Sequence, residues 1–443
     1  MKIRIIYLFV ILAAITACSD QYTFIEGPAT DLNGAPVTYY PSLDYAFIEQ
    51  TDVIFPESAT SCRIKVESSC DWTCVSDCDW ISVEKNGDGE SITISVAENN
   101  VSPTRSGKIV FYNDDKLLSS SSVVQAASPA NCHIISEVGT YAFSAVKGNT
   151  EESLDATESV EVLWETYGTT ETPEKGSLIK SAIYQNGIIV FTTSDKFREG
   201  NAVIAAKDGN GKILWSWHIW LTDQPQEQVY YNNAGTLMDR NLGATSATPG
   251  DVGALGLMYQ WGRKDPFLGA ANIGNKTFAA STIKWPSSVT NNIGTLEYTI
   301  SHPTTYVQYF NNSDKLVLWT VSGETKSVYD PCPAGWRIPD GDVWAKASAS
   351  HGTSFEYDRT NEGANFSGIF GSDDIIWYPA AGIRWADEDA LALVGAYGNY
   401  WSSSLKSSNW AYILYFYEPQ KDFEPQDDTF FGYANSVRCA KDN

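Results

Sequence analysis

Cys70, Cys74 and Cys78 stand at two equal steps of four in SSCDWTCVSDCDWISV, residues 68–83. Cysteines so spaced can ligate a metal or an iron–sulfur cluster, run redox chemistry, or staple a small domain. Other reactive side chains are sparse. The chain holds four histidines, His133, His218, His302 and His351, with no two near each other. His218 has no acidic or cysteine partner at ligand spacing and reads as a satisfied structural histidine. HExxH, GxSxG and GxxxxGK[ST] do not occur, so zinc peptidase, α/β-hydrolase and P-loop chemistry lose their usual signatures.

The segment AGIRWADEDALALVGAYGNYW is richer in ligand-binding types. Arg384, Trp385, Asp387, Glu388, Asp389 and Tyr397 fall between two expected strands, combining aromatic faces with hydrogen-bonding groups, as a sugar site requires. Asp387, Glu388 and Asp389 also have the oxygen chemistry for Ca2+, which takes six to eight such ligands. A solvated acidic loop is the favoured reading of these three, and no other cofactor or metal is expected.

The elements that must carry these residues are mostly strands. CRIKVES alternates Ile64 and Val66 with polar residues, SITISVAE alternates Ile92, Ile94 and Val96, and KIVFYND closes on Asn113-Asp114-Asp115. Short period-two strands between turn residues indicate an all-β sandwich. Farther on, VEVLWE alternates Val160, Val162 and Trp164, and SAIYQNGIIVFTT sets Asn186-Gly187 between two apolar runs, a strong hairpin signal. In ILWSWHIW, Trp215, Trp217 and Ile219 share one face and Leu214, Ser216, His218 and Trp220 the other. A strand apolar on nearly both faces belongs in the interior of a sheet. This block reads as a second immunoglobulin-like domain, its aromatic run favoured as buried packing over the alternative of a sugar platform.

The amino terminus bears on the cysteines. Lys2 and Arg4 precede an apolar run from Ile5 to Ala14, followed by Ile15-Thr16-Ala17-Cys18. This is an export signal, shorter than the roughly 20 apolar residues of a transmembrane helix. It resembles a bacterial lipoprotein signal, which implies acylation of Cys18 and anchoring by two or more chains. Ser19-Asp20 resembles the acidic export tag of Bacteroidetes surface lipoproteins, which favours an outer-membrane protein facing the cell exterior. The formal charge, −24 with the leader and −26 without Lys2 and Arg4, repels nucleic acid and anionic headgroups. The chain is 13% aromatic and 19% charged, as suits packed β structure rather than disorder.

Residues 51–128 resemble a BACON domain. Trp72, the Trp80-Ile81-Ser82-Val83 segment, Asn100 with Arg105-Ser106-Gly107, and the closing Val124-Gln125 carry the likeness. It implies an immunoglobulin-like sandwich with a proposed carbohydrate-binding or spacer role. Trp72 and Trp80 sit inside alternating strands and read as core.

MDRNLGATSA, GLMYQWGRKDPF, YDPCPAGWRIPDGDVW, WYPAAGIRW, YGNYWSSS and YANSVRCAKD follow in order over residues 237–443. They resemble the Fibrobacter succinogenes major paralogous (FISUMP) domain, itself distantly similar to the sulfatase-modifying-factor and C-type-lectin-like folds. The likeness implies a twisted sheet, one or two helices and long loops, with Asp340 or Asp342 capping a helix through Trp344 and Ala345. Trp261, Trp336, Trp377 and Trp401 read as core. Formylglycine-generating enzymes of that fold use two neighbouring cysteines, whereas Cys332 and Cys439 lie 107 positions apart. In an exported chain these are expected as a disulfide, contributing roughly 4 to 5 kcal/mol by loop closure.

Export also recasts the opening triplet as staples. Four residues of strand span about 13 Å, against roughly 4.4 to 6.8 Å between bridged Cα atoms. A bend at Ser76-Asp77 would permit Cys74–Cys78, leaving Cys62 for Cys70 and Cys132 unpaired.

The expected organisation is mainly β and multidomain, two immunoglobulin-like β-sandwiches followed by an α+β C-type-lectin-like domain. Residues 1–17 form the signal peptide, 18–50 the acylated stem, 51–128 and 132–228 the two sandwiches, and 237–443 the lectin-like domain. The expected function is non-enzymatic: a lipid-anchored surface protein binding a glycan or another surface protein, with no nucleic-acid partner. Alternatives are an accessory or tip subunit of a surface fibre and, last, an enzyme related to sulfatase-modifying factors.

Overall fold

Period-two alternation becomes strands along most of the chain. The computed structural model describes residues 44–442 except 51, 101–102, 274–288, 311–317, 320–325, 349–354, 367–375 and 387–390. Cys18, the leader, most of the stem, His351, Asp387, Glu388 and Asp389 lie outside the described residues. The chain divides into two compact units, a smaller one made of the residues up to 98 together with 106–125, and a larger one of 99–105 and 126–443. The molecule is mainly β, with short helices.

In the smaller unit, a four-stranded sheet runs Asp52–Phe55, Lys116–Gln125, Arg105–Asn113, Thr73–Ser76, and a three-stranded sheet runs Thr60–Lys65, Ser91–Val96, Ile81–Lys85. The inward residues of both, among them Ile92, Ile94, Ile109, Phe111 and Val123, form one core with Trp72. Trp72 meets Phe111 edge-on with the Lys85 ammonium 4.0 Å from its ring centroid, so the indole is spent on packing.

This geometry corrects two disulfide expectations. Neither Cys74–Cys78 nor Cys62–Cys70 is bridged. Thr73–Ser76 is extended and in register with Arg105–Asn113, Cys74 lying opposite Phe111. The turn after it is closed by Ser76, whose hydroxyl donates to the Cys78 carbonyl at 2.9 Å and accepts from its N–H at 3.2 Å. Burial raises the Cys74 and Cys78 thiols above their ordinary range, so both side chains serve as small apolar groups.

The larger unit begins with a second pair of sheets. Cys132–Ile135, Ile213–Leu221, Gly200–Lys207 and Ser159–Thr166 form one, and Thr140–Ser144, Ile188–Thr193 and Ile179–Gln185 the other. Asn186 and Gly187 close the last hairpin with φ of 48° and 82°, the left-handed pair of a type I′ turn. Ile213–Leu221 is interior to its sheet and buries both faces. Trp215, Trp217 and Ile219 enter one core and Trp220 another. His218 is held between Asn201 Oδ1 at 2.9 Å and the Tyr259 hydroxyl at 3.3 Å.

Packing does not stop at the expected divide between residues 132–228 and 237–443. A single apolar cluster joins Cys132, Ile134, Trp164 and Trp220 to Met238, Trp261, Trp319 and Trp401. The later residues form short strands on long connections, with helices at Leu296–Ser301 and Val343–Ser348. The Asp330-Pro-Cys-Pro turn is pinned from inside. Asp330 accepts from the Cys332 and Ile338 N–H groups, both at 2.8 Å, and the Lys326 ammonium donates to the Pro333 carbonyl at 2.9 Å. A disulfide joins Cys332 to Cys439 with Cα atoms 6.0 Å apart, tying this turn to the terminal strand.

Candidate ligand-binding face

Three strands of the larger unit, Tyr397–Ser407, Trp410–Tyr417 and Asp422–Phe430, form an antiparallel sheet. Alternation puts Tyr397, Asn399 and Trp401 on one face. The register sets Tyr417 opposite Tyr397, Tyr415 opposite Asn399 and Ile413 opposite Trp401. Trp401 and Ile413 enter the core, while Tyr397, Tyr415 and Tyr417 are half-buried. Tyr397 meets Tyr415 and Tyr417 edge-on at centroid distances of 5.3 and 5.6 Å.

A second run of aromatics adjoins the first. Trp385 packs edge-on against Tyr433 at 5.0 Å, Tyr433 against Phe430 at 5.6 Å, and Phe430 against Trp410 at 6.2 Å. All are half-buried except Trp410, which is 43% exposed. The Tyr397 hydroxyl lies within electrostatic reach of Tyr433 in the second run. Burial raises its pKa to about 12, Tyr415, Asp427 and Tyr433 add to the rise, and a hydrogen bond from Asn399 opposes it.

Beneath these rings lies unfinished polar chemistry. Asn399, Asn435 and Ser436 are at most 1% exposed. The Asn399 amide donates to Asn435 Oδ1 at 3.3 Å, yet Asn399 Oδ1, Asn435 Nδ2 and Ser436 Oγ have no partner among the described residues. The backbone holds all three in place. Asn435 pairs with Tyr259, Ser436 N donates to the Asn399 carbonyl at 3.1 Å, and Trp401 N donates to the Ser436 carbonyl at 3.0 Å. Buried donors and acceptors left unmatched call for an explanation.

Of the side chains expected to meet a ligand, Trp385 and Tyr397 join this face. Asp387 and Asp389, and Glu388 with them, lie outside the described residues. Arg384 is corrected: it is fully buried, directed by strand pairing with Ala434 so that its guanidinium donates to the Leu268 carbonyl at 3.2 Å. The Tyr306 hydroxyl closes the same region by donating to the Arg384 and Gly432 carbonyls at 3.0 and 2.8 Å. Among the described residues no group of three or more His, Cys, Asp or Glu side chains is placed to hold a metal.

Residues 46–128 match the family model described as Viral BACON domain. This segment is similar to a BACON domain over residues 46–128. The match accounts for the smaller unit's two sheets and core, and the aromatic and amide face lies outside it. No curated protein matches the chain. Among solved structures, an endo-fucoidan hydrolase from glycoside hydrolase family 107 is similar at 8% identity, over 44% of this chain and 30% of that one, with a TM-score of 0.18. Domains 4–9 of the surface layer protein SbsC are similar at 16% identity, over 44% and 34%, with a TM-score of 0.17. The titin tandem A164–A165 is similar at 8% identity, over 41% and 98%, with a TM-score of 0.16. The chain thus spans less than a third of the hydrolase.

Proposed function

We propose that this is a non-enzymatic surface lipoprotein, anchored through Cys18, whose carboxy-terminal FISUMP-like, lectin-like part binds a neutral glycan at the face around Tyr397. The observation that carries this reading is the set of unmatched polar atoms on Asn399, Asn435 and Ser436 beside half-buried aromatic rings. Pyranose rings offer apolar C–H faces to aromatics and hydroxyls to polar groups, the two kinds of chemistry this face combines. The Asp427 charge acts on Tyr397 and Tyr415, and the Asp422 charge on Tyr415. Uronate or sulfate groups would therefore meet repulsion. The BACON domain serves in this reading as a spacer.

A glycan array probed with the full-length mature protein tests the reading. Binding to neutral oligosaccharides, reduced tenfold or more by Trp385→Ala, supports it. No binding to any glycan, with recovery of a partner protein by pull-down, would replace it with the fibre-subunit role. Turnover of a sugar or of a sulfatase peptide would replace it with an enzyme.

A further inference from the structure

A second site lies apart from the Tyr397 face. The strand Cys132–Ile135 is buried throughout. Alternation directs Cys132 and Ile134 into one core, and His133 and Ile135 to the opposite face, where Ile135 joins another. On that side is a cleft of about 140 Å³ whose walls all belong to the larger unit. Phe143, Phe191 and Trp336 give it aromatic walls, Pro333 an apolar edge, and His133 and Gln224 polar ones.

His133 is 8% exposed and stacks on Phe143 at a centroid distance of 4.4 Å. Its Nε2 is buried with no hydrogen-bond partner among the described residues. Burial, with the Lys326 charge adding to it, lowers the imidazole pKa to about 3, so the ring is neutral at physiological pH. The cleft therefore combines aromatic and apolar walls with the unmatched, uncharged His133 nitrogen, beside Thr104, Ser128 and Gln224, whose side chains are already hydrogen-bonded. Its volume is close to that of the ~150 Å³ cavity that admits benzene in an engineered protein core. Aromatic walls favour a ring that meets them edge-on or offset. A single unmatched nitrogen calls for one polar substituent on that ring.

We propose that this cleft binds a phenol-type ring whose hydroxyl hydrogen-bonds to His133 Nε2. Two sources share this chemistry, a free phenolic compound and a tyrosine side chain of a peptide.

Titration of the full-length protein with p-cresol, toluene and the peptide Gly-Tyr-Gly tests it, with the heat of binding in calorimetry as the readout. The wild type should bind p-cresol at least tenfold more tightly than toluene, and His133→Phe should reduce that ratio to about one. Binding of p-cresol alone identifies a free compound, and equal binding of the peptide identifies a tyrosine side chain. The proposal is overturned by no binding of p-cresol, or by a preference for p-cresol that survives His133→Phe. Should that variant not fold, the 15N shift of His133 Nε2 in the wild type decides. Movement on adding p-cresol but not toluene supports the site, and no movement overturns it.

Discussion

Asn399 donates its side-chain amide to Asn435 Oδ1 at 3.3 Å, and no assignment of the two amides satisfies both. As placed, Asn399 Oδ1 and Asn435 Nδ2 are buried without partners among the described residues. Exchanging oxygen and nitrogen on both side chains keeps one bond and again strands one donor and one acceptor. Exchanging only one sets like atoms against each other. The pair is thus of little use to the fold.

Replacing both residues by leucine should separate stability from binding. Removing two imperfectly paired buried amides in favour of apolar groups of similar shape is close to neutral or stabilising. Urea unfolding of Asn399→Leu/Asn435→Leu should show a midpoint equal to or above that of the wild type, while neutral-glycan binding is lost. A destabilisation beyond about 2 kcal/mol would mean that the amides are structural.

Two tryptophans 124 positions apart should behave oppositely. Trp261 is fully buried, stacks on Phe431 at 4.5 Å and donates to the Ser402 carbonyl at 2.9 Å. Trp261→Ala should cost about 3 to 5 kcal/mol. Trp385 is half-buried, so Trp385→Ala should cost well under half as much in the same unfolding experiment and act chiefly on binding.

Gly432 fixes the backbone just before Tyr433. A Cβ there would lie 2.3 Å from the Gln308 carbonyl oxygen, a backbone atom that cannot rotate away. Gly432→Ala should therefore destabilise the larger unit by about 1 to 3 kcal/mol and move Tyr433, lowering glycan affinity. Thermal unfolding and a binding titration read the two effects separately.

Acid should weaken the larger unit before carboxylates begin to protonate. His133 and His218 are lowered from 6.5 to about 3 in the folded state, both chiefly by burial. Below pH 6.5 the unfolded chain takes up protons that the folded chain refuses, so stability is full above that value and falls as pH drops toward 3. Each histidine contributes a slope approaching about 1.4 kcal/mol per pH unit. Urea midpoints between pH 7 and 5 should fall, and His133→Phe should reduce the fall by about half.

The sequence was legible where one short stretch dictates its own geometry. Asn186-Gly187 forms its hairpin because both residues accept positive φ, and Ile213–Leu221 shows its interior position by being apolar on both faces. The Cys74–Cys78 bridge failed because the bend it needs is taken up by Ser76 hydrogen bonds and the strand before it by pairing with Phe111. Neither competitor lies inside the spacing rule. Trp385 and Tyr397 were visible as aromatics on loop-like sequence. Asn399 and Asn435, though inside YGNYWSSS and YANSVRCAKD, meet only through register 36 residues apart, and nothing local marks an amide that will lack a partner. Arg384 was misread because its burial depends on Leu268 and Ala434, which are distant in sequence.

The most direct test is a neutral-oligosaccharide array read in parallel with the wild type and Asn399→Leu/Asn435→Leu, both shown to be folded. The account predicts binding by the wild type, lost at least tenfold in the variant at unchanged stability. Equal binding by the two folded proteins, or no binding by the wild type, would contradict it.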